Sequence, residues 1–252
     1  MALAGQVVDT PAAKEFLEKA LEHASREDCR DIATDCGRRA SMIQALLNAR
    51  GSAPLDDAGL RQLLLLVFAT RRRADRVLSV AAQQGGLARL LTNLCSPDGA
   101  VGERIDRFVD ALSALDDLEL ACDLAGEVLH ATQPDRYWLF SRWIWSSKHR
   151  TGALALVTTD ADLSGATPGQ TYALVGRALT MLRASGDAAG LLDLGPEPWN
   201  LDVLLACVYC VYLYTVTRLR MTQEFNKVIP PLPDLARRFL GVHRLEGLSN
   251  VC

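Results

Sequence analysis

Apolar residues return at three- and four-residue intervals along most of this chain, the spacing that builds one face of an α-helix. Thr10-Pro11 reads as a helix start, with a capping hydroxyl and a proline in the first turn. Phe16, Leu17, Ala20, Leu21 and Ala24 then follow at helical spacing. A second helix is predicted over 27–50, with Ile32, Cys36, Met42, Ile43, Leu46 and Leu47 inward and Gly51 ending it. Asp56 or Asp57 caps a third, which carries Leu60, Leu63, Leu64, Val67 and Phe68.

The pattern continues over 72–95, where Gly85-Gly86 predicts a kink or two short helices. Ser96-Pro97-Asp98-Gly99 is the clearest loop. Helices are expected over 101–114 and 117–131, and Gln133-Pro134 then opens an aromatic helix. The stretch 152–159 is the only plausible strand; it lacks a nearby partner, so an extended connection is expected rather than a sheet. Thr167-Pro168 starts a helix through Tyr172, Leu174, Val175, Leu179 and Leu182, and 186–198 reads as a turn-rich linker. A long helix over 200–225, a break at Pro230-Pro231-Leu232-Pro233 and a last helix over 234–241 complete the chain. No fixed-period repeat appears. The expected fold is all-α, an irregular multi-helix bundle of roughly nine to ten helices. It is either one compact domain or two closely packed halves, 1–97 and 98–252.

Composition changes this picture little. A hydrophobic fraction of 49% and a charged fraction of 23% suit an ordinary globular chain. The net charge of −3 supplies no global field toward nucleic acid. Only Lys14, Lys19, Lys148 and Lys227 of the 27 basic residues are lysine, a bias we read as genomic base composition. Seven cysteines, an odd number without a framework spacing, favour reduced thiols and a cytoplasmic setting. The first residues lack the charged and apolar regions of a signal peptide. The apolar run 203–216 is shorter than the ~20 residues of a bilayer span, so a central buried helix is expected and no membrane partner.

The densest chemistry lies at 134–150, where five of the chain's fifteen aromatic residues fall between Tyr137 and Trp145. On a helix, Trp138, Arg142 and Trp145 share a face, while Phe140, Trp143 and Ile144 point elsewhere. One face cannot hide all five rings. At least one of Trp143 and Trp145 is therefore expected to be buried and the other to lie near the surface. The candidate binding surface is Arg136, Tyr137, Trp138, Arg142, Trp143, Trp145, Lys148 and Arg150. Trp, Tyr and Arg dominate protein interfaces, and aromatics with arginines also suit stacking on unpaired bases.

Other constellations are weaker. Arg71-Arg72-Arg73 with Arg76 reads as a solvated helix start, with an anion site as the alternative. Asp116, Glu119, Asp123, Glu127 and His130 form a stripe at spacings of three or four, expected to be a solvated face. Within it Glu127 and His130 match half of a carboxylate-bridged metal motif, but no second such pair exists, so no metal or other cofactor is expected. Cys207 and Cys210 form a Cys-x-x-Cys in mid-helix, read as buried apolar packing. Asp160 and Asp162 suit a turn, with a divalent ion as the alternative. Tyr209, Tyr212 and Tyr214 could line a cleft with Asp202, Arg218 or Glu224. No phosphate-binding glycine loop, G-x-S-x-G elbow or H-E-x-x-H is present. The leading expectation is a cytoplasmic interaction or accessory protein acting through 134–150, its partner another protein or a second copy of itself. Nucleic-acid binding through the same segment comes second. A small-molecule or metal enzyme with a site in the bundle centre comes third, and no catalytic motif marks it.

Overall fold

The computed structural model describes residues 7–48, 55–159, 162–220, 230–243 and 245, the side chains of 218–220 excepted. Among these residues the protein is all-α: eleven α-helices and no strand. Its residues divide into two compact units, 1–37 with 150–162 and 178–252, and 38–149 with 163–177. The expected division at 97/98 falls inside the second unit.

The first unit contains α1 (Thr10–Leu21), the start of α2 (Arg26–Asn48), α8 (Ala153–Leu156), the end of α9 (Pro168–Ala188), α10 (Trp199–Arg220) and α11 (Leu232–Phe239). α10 is its centre and packs against α1, α8 and α11. Every residue from Leu201 to Val208 is buried, as is Cys210. Trp199–Thr217 is long and apolar enough by length and composition to cross a membrane. Its burial against three helices gives the apolar run a simpler cause, a helix surrounded by core. The stop at Gly51 and the last turns expected to reach residue 225 lie outside the described residues, as does Cys252. The stretch 152–159 forms α8 and a single bridge between Val8 and Thr158.

The second unit contains the end of α2, α3 (Asp57–Leu66), α4 (Ala74–Ala82), α5 (Leu87–Cys95), α6 (Val101–Ala111), α7 (Leu118–Thr132) and the start of α9. Gly85 and Gly86 adopt φ of 84° and 95° and separate α4 from α5, as the pair predicts. Asp56 caps α3, and Asp117 caps α7 by accepting the Leu120 N–H at 3.0 Å. Between Ala121 and Ala131 only Cys122 escapes full burial, so α7 is the core helix of this unit.

Residues 133–149 depart from expectation. They form turns and irregular chain, not a helix. The path solves the ring problem differently: Tyr137, Leu139, Phe140, Trp143, Ile144 and Trp145 are all buried, and only Trp138 among the five rings is half-buried. A helix would have turned some of them to solvent. An irregular chain needs partners for its backbone groups, and α7 and α9 supply them. Arg142 N–H donates to Asp123 Oδ1 at 2.7 Å, and Trp138 N–H donates to the Tyr172 hydroxyl at 3.1 Å. His130 Nδ1 donates to the Tyr137 carbonyl at 2.7 Å. At Gly126 the chain lies against α7 so closely that an added Cβ would stand 2.2 Å from the Phe140 carbonyl oxygen.

Candidate binding groove

The irregular segment, the first turn of α7 and the first turn of α9 enclose a groove of about 870 Å³ within the second unit. Its wall includes Leu118, Phe140, Arg142, Trp145, Lys148 and Thr167. Leu118 is 58% exposed and stands at this groove. Trp145 is buried, and its indole N–H has no hydrogen-bond partner.

The charges in the groove largely satisfy one another. Asp117 accepts from Arg73 Nη1 at 2.7 Å and from Arg142 Nη2 at 3.4 Å. Asp123 accepts the Arg142 Nε–H at 2.6 Å as well as the backbone N–H. Burial pushes the Asp123 carboxyl up to about 7, against the pull of the Arg142 guanidinium. Glu119 accepts the Ser146 hydroxyl. Burial also pushes the Cys122 thiol up to about 12, with Asp123 and Glu119 adding to the effect. That thiol is therefore held protonated at neutral pH and is a poor nucleophile. Lys148 and His149 stay exposed at the rim.

Behind this wall lies a further ion pair. Arg39 Nη1 donates to Glu127 Oε2 at 2.6 Å, with both side chains about 95% removed from solvent. The stripe expected to be solvated is therefore split. Asp116 is exposed and Glu119 half-buried, while Asp123, Glu127 and His130 lie in the core. Apolar neighbours on every other side of α7 carry them inward. The weak metal pair of Glu127 and His130 is engaged with Arg39 and with the Tyr137 carbonyl. Among the described residues no group of three or more His, Cys, Asp or Glu could hold a metal ion.

The eight residues of the expected surface separate. Arg142, Trp145 and Lys148 meet in the groove. Tyr137 and Trp143 are core, so the expectation that one of Trp143 and Trp145 reaches the surface fails. Trp138 lies over Gly176, where an added Cβ would be 3.1 Å from its ring. Arg136 is exposed, its guanidinium 5.3 Å from the Tyr137 ring centroid. Arg150 belongs to the first unit and pairs with Asp162 at 3.2 Å; Asp160 lies outside the described residues.

The remaining candidates are structural. Arg71, Arg73 and Arg76 diverge to the Leu65 carbonyl, Asp117 and the Ala114 carbonyl. In the first unit Cys207 and Cys210 are buried free thiols, and Cys207 shares a hydrogen bond with Cys29. Tyr209 and Tyr212 stack at 6.0 Å, and Tyr214 donates to the Pro230 carbonyl. Asp202 is buried, while the Arg218 side chain and Glu224 lie outside the described residues. The chain matches no protein-family model, no curated protein and no solved structure.

Proposed function

We propose that this is an interaction protein whose second unit receives a short, apolar-anchored segment of a partner protein. The observation that carries the reading is Leu118, 58% exposed at a groove whose wall also holds Phe140 and Trp145. Arg73 and Arg142 both engage Asp117, and Arg142 also engages Asp123, so both guanidinium groups already have acceptors within the groove. Binding energy would then come from burying an apolar side chain, as at the anchors of protein interfaces. Lys148 at the rim offers a polar contact to the segment's carbonyl or carboxylate groups. Unpaired thiols suit a reducing compartment such as the cytoplasm.

The test is selection of peptides from a displayed library against the full chain, with a Leu118→Arg variant as counter-selection. The expected outcome is a family of peptides sharing an apolar anchor. Their affinity for the Leu118→Arg chain should fall about tenfold or more, with an unchanged circular dichroism spectrum. If no selected peptide is sensitive to Leu118→Arg, the reading is wrong. No specific observation favours nucleic acid: Arg142 and Arg150 already pair with carboxylates, which leaves Arg136 and Lys148 of the four expected cations.

A further inference from the structure

A second recess lies elsewhere in the second unit and shares no wall residue with the groove. It measures about 290 Å³ and is bounded by the end of α5, the loop after it and one face of α6. Its wall includes Asn93, Ser96, Asp98, Arg104 and Arg107. Arg104 is only 2% exposed.

Arg104 differs from the other buried arginine of this unit. Arg39 has Glu127 against it, whereas every acceptor around Arg104 is neutral: the Leu94 and Ser96 carbonyls and the Tyr137 hydroxyl at 2.8 Å. Among the described residues no carboxylate lies within salt-bridge distance of it, and its Nε–H has no partner. A guanidinium buried without a counter-charge is costly, by several kcal/mol in general. The C-terminal end of α5, whose last carbonyls it holds, offsets about half a charge at most. Arg107, one turn further along α6, is exposed and adds a second positive charge to the same recess. The only acid in the wall is Asp98, which is exposed and accepts from the Ser96 hydroxyl at 3.1 Å.

We propose that this recess is a binding site for a small oxyanion, a phosphate group in particular, held by Arg104 and Arg107 with Asn93 as a further donor. Guanidinium groups match the geometry and charge of phosphate oxygens. The volume suits a single phosphate or the phosphate end of a small phosphomonoester, two sources with the same recognition chemistry.

Thermal melting of the full chain, titrated with inorganic phosphate and separately with phenyl phosphate, tests this against sodium chloride at matched ionic strength. A saturable rise of roughly 3–5 °C at tenfold excess over Kd is expected. Response to phosphate alone marks a free-ion site, and response to both marks a site open to a phosphate-bearing molecule. Arg107 is exposed, so Arg107→Glu should melt unchanged without phosphate and weaken binding about tenfold or more. Asp98→Asn should tighten it. A response no greater than that to chloride, or undiminished binding by Arg107→Glu, would overturn the proposal.

Discussion

Each unit is built around one helix with a stretch buried all round, Leu201–Val208 in α10 and Asp123–Ala131 in α7, and the two stretches differ in what they carry inside. α10 of the first unit buries Leu201–Val208 and Cys210, with Asp202 the one buried acidic or basic residue among its described side chains. α7 of the second unit buries Asp123, Glu127 and His130 among its leucines and alanines. Helices pack against α10, where apolar contact suffices. Against α7 pack α5, α6 and also an irregular chain whose backbone needs directed partners, and the buried polar side chains provide them. The groove stands on the ionic helix. The comparison suggests why: an irregular wall fixed by hydrogen bonds can leave a recess that packed helices would fill.

The largest effect that would separate the two helices comes from breaking the Arg39–Glu127 pair. Glu127→Leu leaves Arg39 buried and unpaired and should cost about 3–5 kcal/mol in urea unfolding. Cys207→Ala in α10 removes a small side chain and its weak thiol hydrogen bond with Cys29, and should cost about 1 kcal/mol. Adding Arg39→Met to Glu127→Leu should recover much of the loss, because what is penalised is the orphaned charge. Equal costs for the two single changes would erase the contrast between the helices.

Next in size is Gly126→Ala. The added methyl meets the Phe140 carbonyl at a distance no side chain tolerates, so the irregular segment must lift from α7. The expected cost is about 1–3 kcal/mol, with enhanced tryptophan fluorescence quenching by acrylamide as Trp143 and Trp145 gain access to solvent. A fully stable Ala variant with unchanged quenching would show that the segment is not pressed against the helix.

The last effect is in pH, and it is read as a slope rather than as a single cost. With its folded value near 7, Asp123 keeps its proton in the folded protein between about pH 4 and 7, where the unfolded chain has lost it. Stability should therefore fall as pH rises through that window, by up to about 1.4 kcal/mol per unit, and level off above it. Asp123→Asn should lack this component. No comparable slope should arise from α10, whose buried thiols stay protonated throughout. A variant with the same slope as the parent would place the dependence elsewhere.

Helical periodicity made most elements of both units legible, including the α4–α5 break at Gly85-Gly86 and the buried run of α10, but not α8, which lies where an extended connection was expected. The irregular segment was not, because its conformation is decided by partners distant in sequence: Asp123 for Arg142, Tyr172 for Trp138 and Gly126 beneath Phe140. Its ring density did announce that one helix face could not bury it. The acidic stripe misled for a related reason. Spacing places Asp123, Glu127 and His130 on one face but does not say what faces them. The signal lay in the rest of α7, where Leu120, Ala121, Leu124, Ala125, Val128 and Leu129 leave no polar face. Arg39, set among Cys36, Ala40 and Ile43, carries the matching sign on α2. Arg104 sits likewise beside Ile105 and Phe108, an arginine on an inward face.

The central claim is that the buried polar side chains of α7 hold the irregular chain in place. Backbone hydrogen exchange of the Asp123→Ala variant tests it most directly, because the Arg142 amide loses its acceptor. We expect Arg142 and its neighbours over 137–146 to exchange much faster than in the parent, while amides of α10 keep their protection. Unchanged protection across 137–146 would contradict the account and make the segment's fold a matter of apolar packing alone.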